Sequence, residues 1–157
     1  MARFKIDIPE ELREKISKQV SEVHQRVLSG ELPNYPTFAW NLMKSMETVK
    51  EELHHSATGL AGEAGEVLDI SKKVWVYGKE LDLYHLIEEL GDMRFYYQTV
   101  LNMLGLDDQD IIAFNMEKLS QRYADGKYSN VHAIGRADKK TEVARSFIGM
   151  HQEEDQE

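Results

Sequence analysis

The chain has 157 residues, 41% of them hydrophobic and none of them cysteine, with 19 basic against 28 acidic side chains and a formal net charge of −9. That length predicts one compact unit with a core of ordinary size, and the lack of cysteine excludes disulfides, thiolate zinc sites and cysteine nucleophiles. The acidic balance has the wrong sign for a protein that coats nucleic acid by releasing counterions, so duplex nucleic acid is not an expected partner.

The N-terminal MARFKIDIPEELREK lacks the apolar stretch of a signal peptide, and no apolar run approaches the roughly 20 residues that cross a bilayer. The expected location is the cytoplasm, with no membrane partner. Phe4, Ile6 and Ile8 alternate with charged residues as a short strand would, without an obvious partner strand. From Pro9 to about Leu28, Leu12, Ile16, Val20, Val23 and Val27 recur at steps of three and four, which predicts an amphipathic helix stopped by Gly30. Pro33 and Pro36 make the next stretch a connector. Between Thr37 and Val76 two helices are expected, joined near residues 45–49, with Gly78 ending the second. The clearest helix follows, Leu83 to Leu104, with Leu86, Leu90, Met93, Tyr97, Val100 and Leu104 as its apolar stripe and Gly105 closing it. Asp107 or Asp108 then caps a last helix to about Tyr123; beyond Asp125-Gly126 the pattern dissolves, and the end is polar and acidic.

Two carboxylate pairs interrupt apolar helices: Glu63 and Glu66 in GLAGEAGEVLDI, and Glu89 and Asp92 in LIEELGDM. Residues three apart on a helix project from one face, so each pair offers two carboxylates to one small volume, a donor set suited to Mg²⁺. Acids at this spacing are commonplace on solvated helix faces. Two details set these apart. Glu89 falls inside the apolar stripe, where an ionised carboxylate needs a cation or matched donors. Gly59, Gly62 and Gly65 occupy successive helical steps, and each loses about 1 kcal/mol of helix propensity relative to alanine, a loss that close approach of another helix or of a ligand would explain. Lys73, two turns beyond Glu66 and about 10.5 Å along the axis, shares its face. Asn115, Lys118 and Arg122 recur at three and four to make a cationic strip for phosphate oxygens. Acids for a metal together with cations for phosphate point to phosphoryl chemistry.

These residues resemble a known family. GLAGEAGEVLDISKK, VYGKELD, ELGD, GLDDQDIIAFNMEKLSQRY and GKYSNVHAIGRAD stand in the order and spacing of the MazG-like, all-alpha nucleoside triphosphate pyrophosphohydrolases. The resemblance implies an all-α MazG-like helical bundle at residues 36–138, assembled as a dimer or a dimer of dimers. An N-terminal segment and helix (1–35) would precede it and a polar tail (139–157) follow. It implies Mg²⁺, with Mn²⁺ able to substitute, held by Glu63, Glu66, Glu89 and Asp92. Asn115, Lys118, Arg122, Tyr123 and, by a looser correspondence, Lys73 would hold the nucleotide substrate. The expected reaction is attack of water on the α-phosphorus of a nucleoside triphosphate, giving a monophosphate and pyrophosphate, with Glu63 or Glu66 as the base. Phosphoribosyl-ATP is the alternative substrate, and a non-enzymatic helical assembly module the alternative of another class. Where relatives carry an apolar residue, leucine, tryptophan and tyrosine after ELGD, this chain has Met93-Arg94-Phe95-Tyr96. Arg94 could face solvent, a partner subunit or the substrate. Phe95 and Tyr96 widen the apolar face of their helix, which, with the resemblance, predicts a homo-oligomer.

Overall fold

A computed structural model describes residues 5–139. Six helices follow in order: α1 (Glu10–Leu28), α2 (Tyr35–Leu42), α3 (Val49–Tyr77), α4 (Leu83–Leu104), α5 (Asp108–Arg122) and α6 (Asn130–Gly135), then a 3-10 turn at Ala137–Lys139. No strand occurs among the described residues. Residues 5–9 run irregularly into α1, and the alternation they carry finds no second strand to pair with; Phe4 lies outside the described residues. The tail expected from residue 139 onward also lies outside them from residue 140. No described helix is long and apolar enough to cross a membrane.

Side chains fix most helix starts. Asn34 accepts a hydrogen bond from the Thr37 amide, Thr48 and Glu51 form a reciprocal capping box on α3, and Asp82 accepts from the amide of His85. Asp107 and Asp110 repeat the box on α5, and Ser129 caps α6. Gly78 and Gly105 end α3 and α4 in the left-handed conformation, at φ 61° and 65°, where a β-carbon would be strained. The α6 helix and the turn after it correct the expectation that order dissolves beyond Gly126. A six-residue helix is too short to leave a periodic signature.

Instead of the one compact unit expected, the chain divides into two, at Gly105 and Leu106. In the first unit α3 and α4 pack antiparallel. Ser56 meets Thr99 through a buried 2.8 Å hydrogen bond, Gly59 lies against the ring of Tyr96, and Glu63 reaches Glu89 and Asp92. The partner number falls as the α3 number rises. The α2 helix lies against α4 through fully buried Ala39 and a polar ladder. Arg94 Nη2 donates to Gln98 Oε1 (2.8 Å), Gln98 Nε2 to Asn102 Oδ1 (2.9 Å), and Asn102 Nδ2 to the Pro36 carbonyl (2.8 Å). The Arg94 guanidinium also sits 5.2 Å from the Tyr35 ring centroid and 5.3 Å from that of Tyr97. Arg94 therefore packs against side chains of α2 and α4. The α1 helix touches α4 where Lys15 lies over the Tyr84 ring, 4.7 Å from its centroid.

Apolar burial is sparse. Among the described residues the buried apolar side chains are Ala39, Ile70 and Leu101. Leu90 and Leu104, expected on the inner stripe of α4, are 51% and 60% exposed, and the side of α4 that faces α3 carries Glu89 and Thr99 instead. Val20 and Val23 of α1 and Leu68 of α3 are exposed, and Trp75, near the end of α3, is 89% exposed. In the second unit, α5 is held to the 3-10 turn by Arg122 and Asp138, and the Tyr123 ring lies 5.9 Å from Tyr128 and 6.2 Å from His132.

Candidate active site

Small residues set the site's geometry. Ser56, Gly59 and Glu63 occupy one face of α3 at steps of three and four, and the lack of a side chain at Gly59 lets the Tyr96 ring lie on the α3 backbone. One turn further along, the same close approach brings a carboxylate of α3 to two carboxylates of α4. Oxygens of Glu63, Glu89 and Asp92 all lie within 4.8 Å of one another. Glu89 is buried, Glu63 half-buried and Asp92 exposed, so the group is anchored in the protein at one end and open to solvent at the other.

Three acids this close oppose one another's ionisation. The Glu63 carboxyl is held above the usual carboxylate range, first by burial, then by a hydrogen bond shared with Glu89 and by the charges of Asp92, Glu89 and Glu66. A shared proton is one way to relieve such a group, and a hard divalent cation with oxygen ligands is another. The donor set therefore fits Mg²⁺ or Mn²⁺. Glu89 has one further partner: His85, one turn earlier on α4, places Nε2 2.7 Å from Glu89 Oε1.

The remaining expected residues fall as follows. Glu66 is exposed and stands outside the group of three, although its charge reaches Glu63. Lys73 is bound to Asp69 at 2.8 Å, and that hydrogen bond is the main reason its ammonium is held more firmly protonated than usual; Glu66 adds to the effect. The face expected to join Glu66 to Lys73 exists, with Asp69 between them. In the second unit Asn115 and Lys118 are exposed along α5. Arg122 is gripped by Asp138 through two bonds, Nε to Oδ1 at 2.7 Å and Nη2 to Oδ2 at 2.6 Å. The pair raises the Arg122 pKa, and Arg122 lowers Asp138 to about 2. Tyr123 is half-buried beside Tyr128 and His132. Of the two histidines at the start of α3, His55 packs edge-on against Tyr96 at 6.0 Å and His54 is exposed, as ordinary helix packing and surface would have them.

Sequence reasoning missed Asp69, His85 and Asp138. The first two carried a signal, since each lies four residues before the side chain it contacts on the same helix, and opposite or hydrogen-bonding partners at that spacing meet. Asp138 lies sixteen residues from Arg122 across a turn, and no periodicity connects them.

Residues 50–126 match the family model of the MazG nucleotide pyrophosphohydrolase domain. This segment belongs to the MazG family. The match spans both carboxylate pairs and the Asn115, Lys118, Arg122 and Tyr123 strip. No curated protein and no solved structure matched the chain. A MazG domain is a nucleotide pyrophosphohydrolase domain, in general dependent on a divalent metal, and the three converging carboxylates are the acidic group within this one.

Proposed function

We propose that the protein hydrolyses a canonical or modified nucleoside triphosphate at the α–β phosphoanhydride, releasing a nucleoside monophosphate and pyrophosphate. The observation that carries this reading is the convergence of Glu63, Glu89 and Asp92 within a MazG domain. Glu63, Glu89 and Asp92, joined by Glu66, would hold Mg²⁺. When bound, the cation supplies charge neutralisation for phosphate oxygens and lowers the pKa of a coordinated water.

Each protein group has its own task. Glu89, buried and tied to His85, forms the fixed floor of the site. Glu63, whose charge burial and its acidic neighbours oppose, would join it as a ligand once a cation offsets that charge. Glu66, one turn beyond Glu63 and open to solvent, would be the carboxylate that takes the proton from the attacking water. Asn115, Lys118, Arg122 and Tyr123 bind the substrate, Arg122 with its guanidinium oriented by Asp138, and Lys73 contributes charge along the Glu66 face. Charge held in fixed positions stabilises the departing pyrophosphate without covalent chemistry.

We further propose that the active form is a homo-oligomer built on a dimer and that it works in the cytoplasm on the free nucleotide pool. The exposure of Val20, Val23, Leu68, Trp75 and Leu90 supports the first point, because a second copy of the chain can cover apolar side chains that one copy leaves open.

The test is a substrate panel of ribo-, deoxyribo- and modified nucleoside triphosphates with phosphoribosyl-ATP included, run with Mg²⁺ and with product identification. Pyrophosphate and a monophosphate are expected from at least one triphosphate. Orthophosphate with a diphosphate would place attack at the γ-phosphorus and overturn the reading, and turnover of phosphoribosyl-ATP alone would replace its substrate.

A further inference from the structure

His85 is the residue at the site that neither the carboxylate motifs nor the cationic strip accounts for. Its backbone is fixed before its side chain acts, because the Asp82 carboxylate accepts from the His85 amide at 3.0 Å and caps α4 there. From that first turn the imidazole extends along the helix to Glu89, Nε2 to Oε1 at 2.7 Å. Glu89 is the most buried of the three converging acids, 7% exposed, and its neighbours Glu63 and Asp92 are acids as well. An imidazole N–H can donate and a carboxylate oxygen accepts, so the 2.7 Å contact has the geometry of a hydrogen bond from the ring to Glu89.

We infer that His85 is a positioning residue for the metal site: it donates from Nε2 to Glu89 and fixes the orientation in which that carboxylate meets a divalent cation. The inference rests on the metal-dependent reading above and adds to it a residue outside the four carboxylates. Two physical points favour histidine in this role. A carboxylate tied at one oxygen retains lone pairs on both, so the contact orients Glu89 without using it up. An imidazole can donate while neutral, whereas a lysine or arginine at the same place would bring a permanent positive charge beside the site intended for a cation. Donors behind a liganding group hold it in place before the metal arrives, and their removal typically weakens metal binding by about 10- to 100-fold.

The experiment measures Mn²⁺ binding to the metal-free full chain, without nucleotide, by electron paramagnetic resonance of the free ion. It compares wild type, Glu89→Gln, His85→Ala, His85→Phe and His85→Gln, with circular dichroism and thermal melts in chelator to establish that each is folded. Wild type is expected to bind Mn²⁺ and Glu89→Gln to lose most of that binding. His85→Ala and His85→Phe should bind about tenfold or more weakly. His85→Gln, whose amide nitrogen can reach the same carboxylate, should regain most of the loss. If wild type and Glu89→Gln bind alike, the metal reading itself is wrong. If Glu89→Gln loses binding while His85→Ala stays within twofold of wild type, the reading stands and the positioning role is overturned. Loss in His85→Ala without recovery in His85→Gln also overturns it, since donation to Glu89 would not then be what the ring supplies.

Discussion

Gly59 lies directly beneath the ring of Tyr96, so that a β-carbon added to the glycine would overlap Cε1, Cζ and Cδ1 of the ring. That single approach sets how near α3 stands to α4, and one turn away it determines how near Glu63 stands to Glu89 and Asp92. Gly62 and Gly65, at the next helical steps, have open space where a β-carbon would go.

The three glycines should therefore respond differently to alanine. Gly59→Ala must displace the Tyr96 ring or part the helices, and overpacking of this kind costs about 1–3 kcal/mol, of which about 1 kcal/mol is returned by helix propensity. Gly62→Ala and Gly65→Ala meet nothing within the chain and should each stabilise by up to about 1 kcal/mol. Denaturant melts of the three variants provide the measurement. Destabilisation by all three would mean that Gly62 and Gly65 are also pressed by a neighbour.

Glu63→Gln and Glu66→Gln test the two glutamates of the α3 pair separately. The raised pKa of Glu63 means that ionisation of its carboxyl opposes folding, and a neutral isostere removes that opposition. Metal-free Glu63→Gln should melt at or above the wild-type temperature, gain less from added Mg²⁺, and be inactive. Glu66→Gln should lose most turnover while keeping more of the Mg²⁺ shift than Glu63→Gln does. Melts in chelator and in millimolar Mg²⁺, with pyrophosphate release, give both comparisons. A Glu66→Gln protein of near-wild-type activity would remove that residue from catalysis.

The Arg122–Asp138 pair carries a pH signature. Asp138 is held at about 2 when folded, chiefly by its hydrogen bonds from Arg122, against an ordinary aspartate value of about 3.9. A depressed folded pKa contributes stability that is fully present above the unfolded value and is lost as pH falls toward the folded one. The melting-temperature advantage of wild type over Asp138→Asn should thus be constant from pH 7 to pH 5 and shrink below about pH 4. An advantage that shrinks between pH 7 and pH 5 would assign it to a different group.

Light scattering at micromolar concentration should return a dimer or tetramer mass. The reason lies in the surface: Val20, Val23, Leu68, Trp75 and Leu90 are all exposed in the single chain. A monomer mass at that concentration would contradict the proposed assembly.

How much of this was legible in the sequence differs by residue. Helix ends were in part: Gly78 and Gly105 close α3 and α4 where the glycines implied, whereas Thr48 with Glu51 and Asp82, which cap their starts, went unread. The convergence of Glu63, Glu89 and Asp92 was foreshadowed by the acid in the apolar stripe, and Glu89 is indeed buried. The separate standing of Glu66 was not legible. Spacing of three keeps two residues on one side of a helix but leaves them about 60° apart, enough for one to face α4 and the other solvent. Leu90 and Leu104 misled for a related reason, since periodicity finds an apolar stripe without saying whether the same chain covers it. The contact of Arg94 with Tyr35, on a different helix, depends on how α2 meets α4, which no local pattern encodes.

Trp75 gives the protein an optical label of its own. With 89% of its surface in water against 45% for Trp40, its indole should emit at the long-wavelength end of the tryptophan range in an isolated chain. Contact with any apolar partner would move that emission toward the blue. A dilution series followed by fluorescence, with the emission of a Trp75→Phe chain (from Trp40 only) subtracted as baseline, would then report the end of α3.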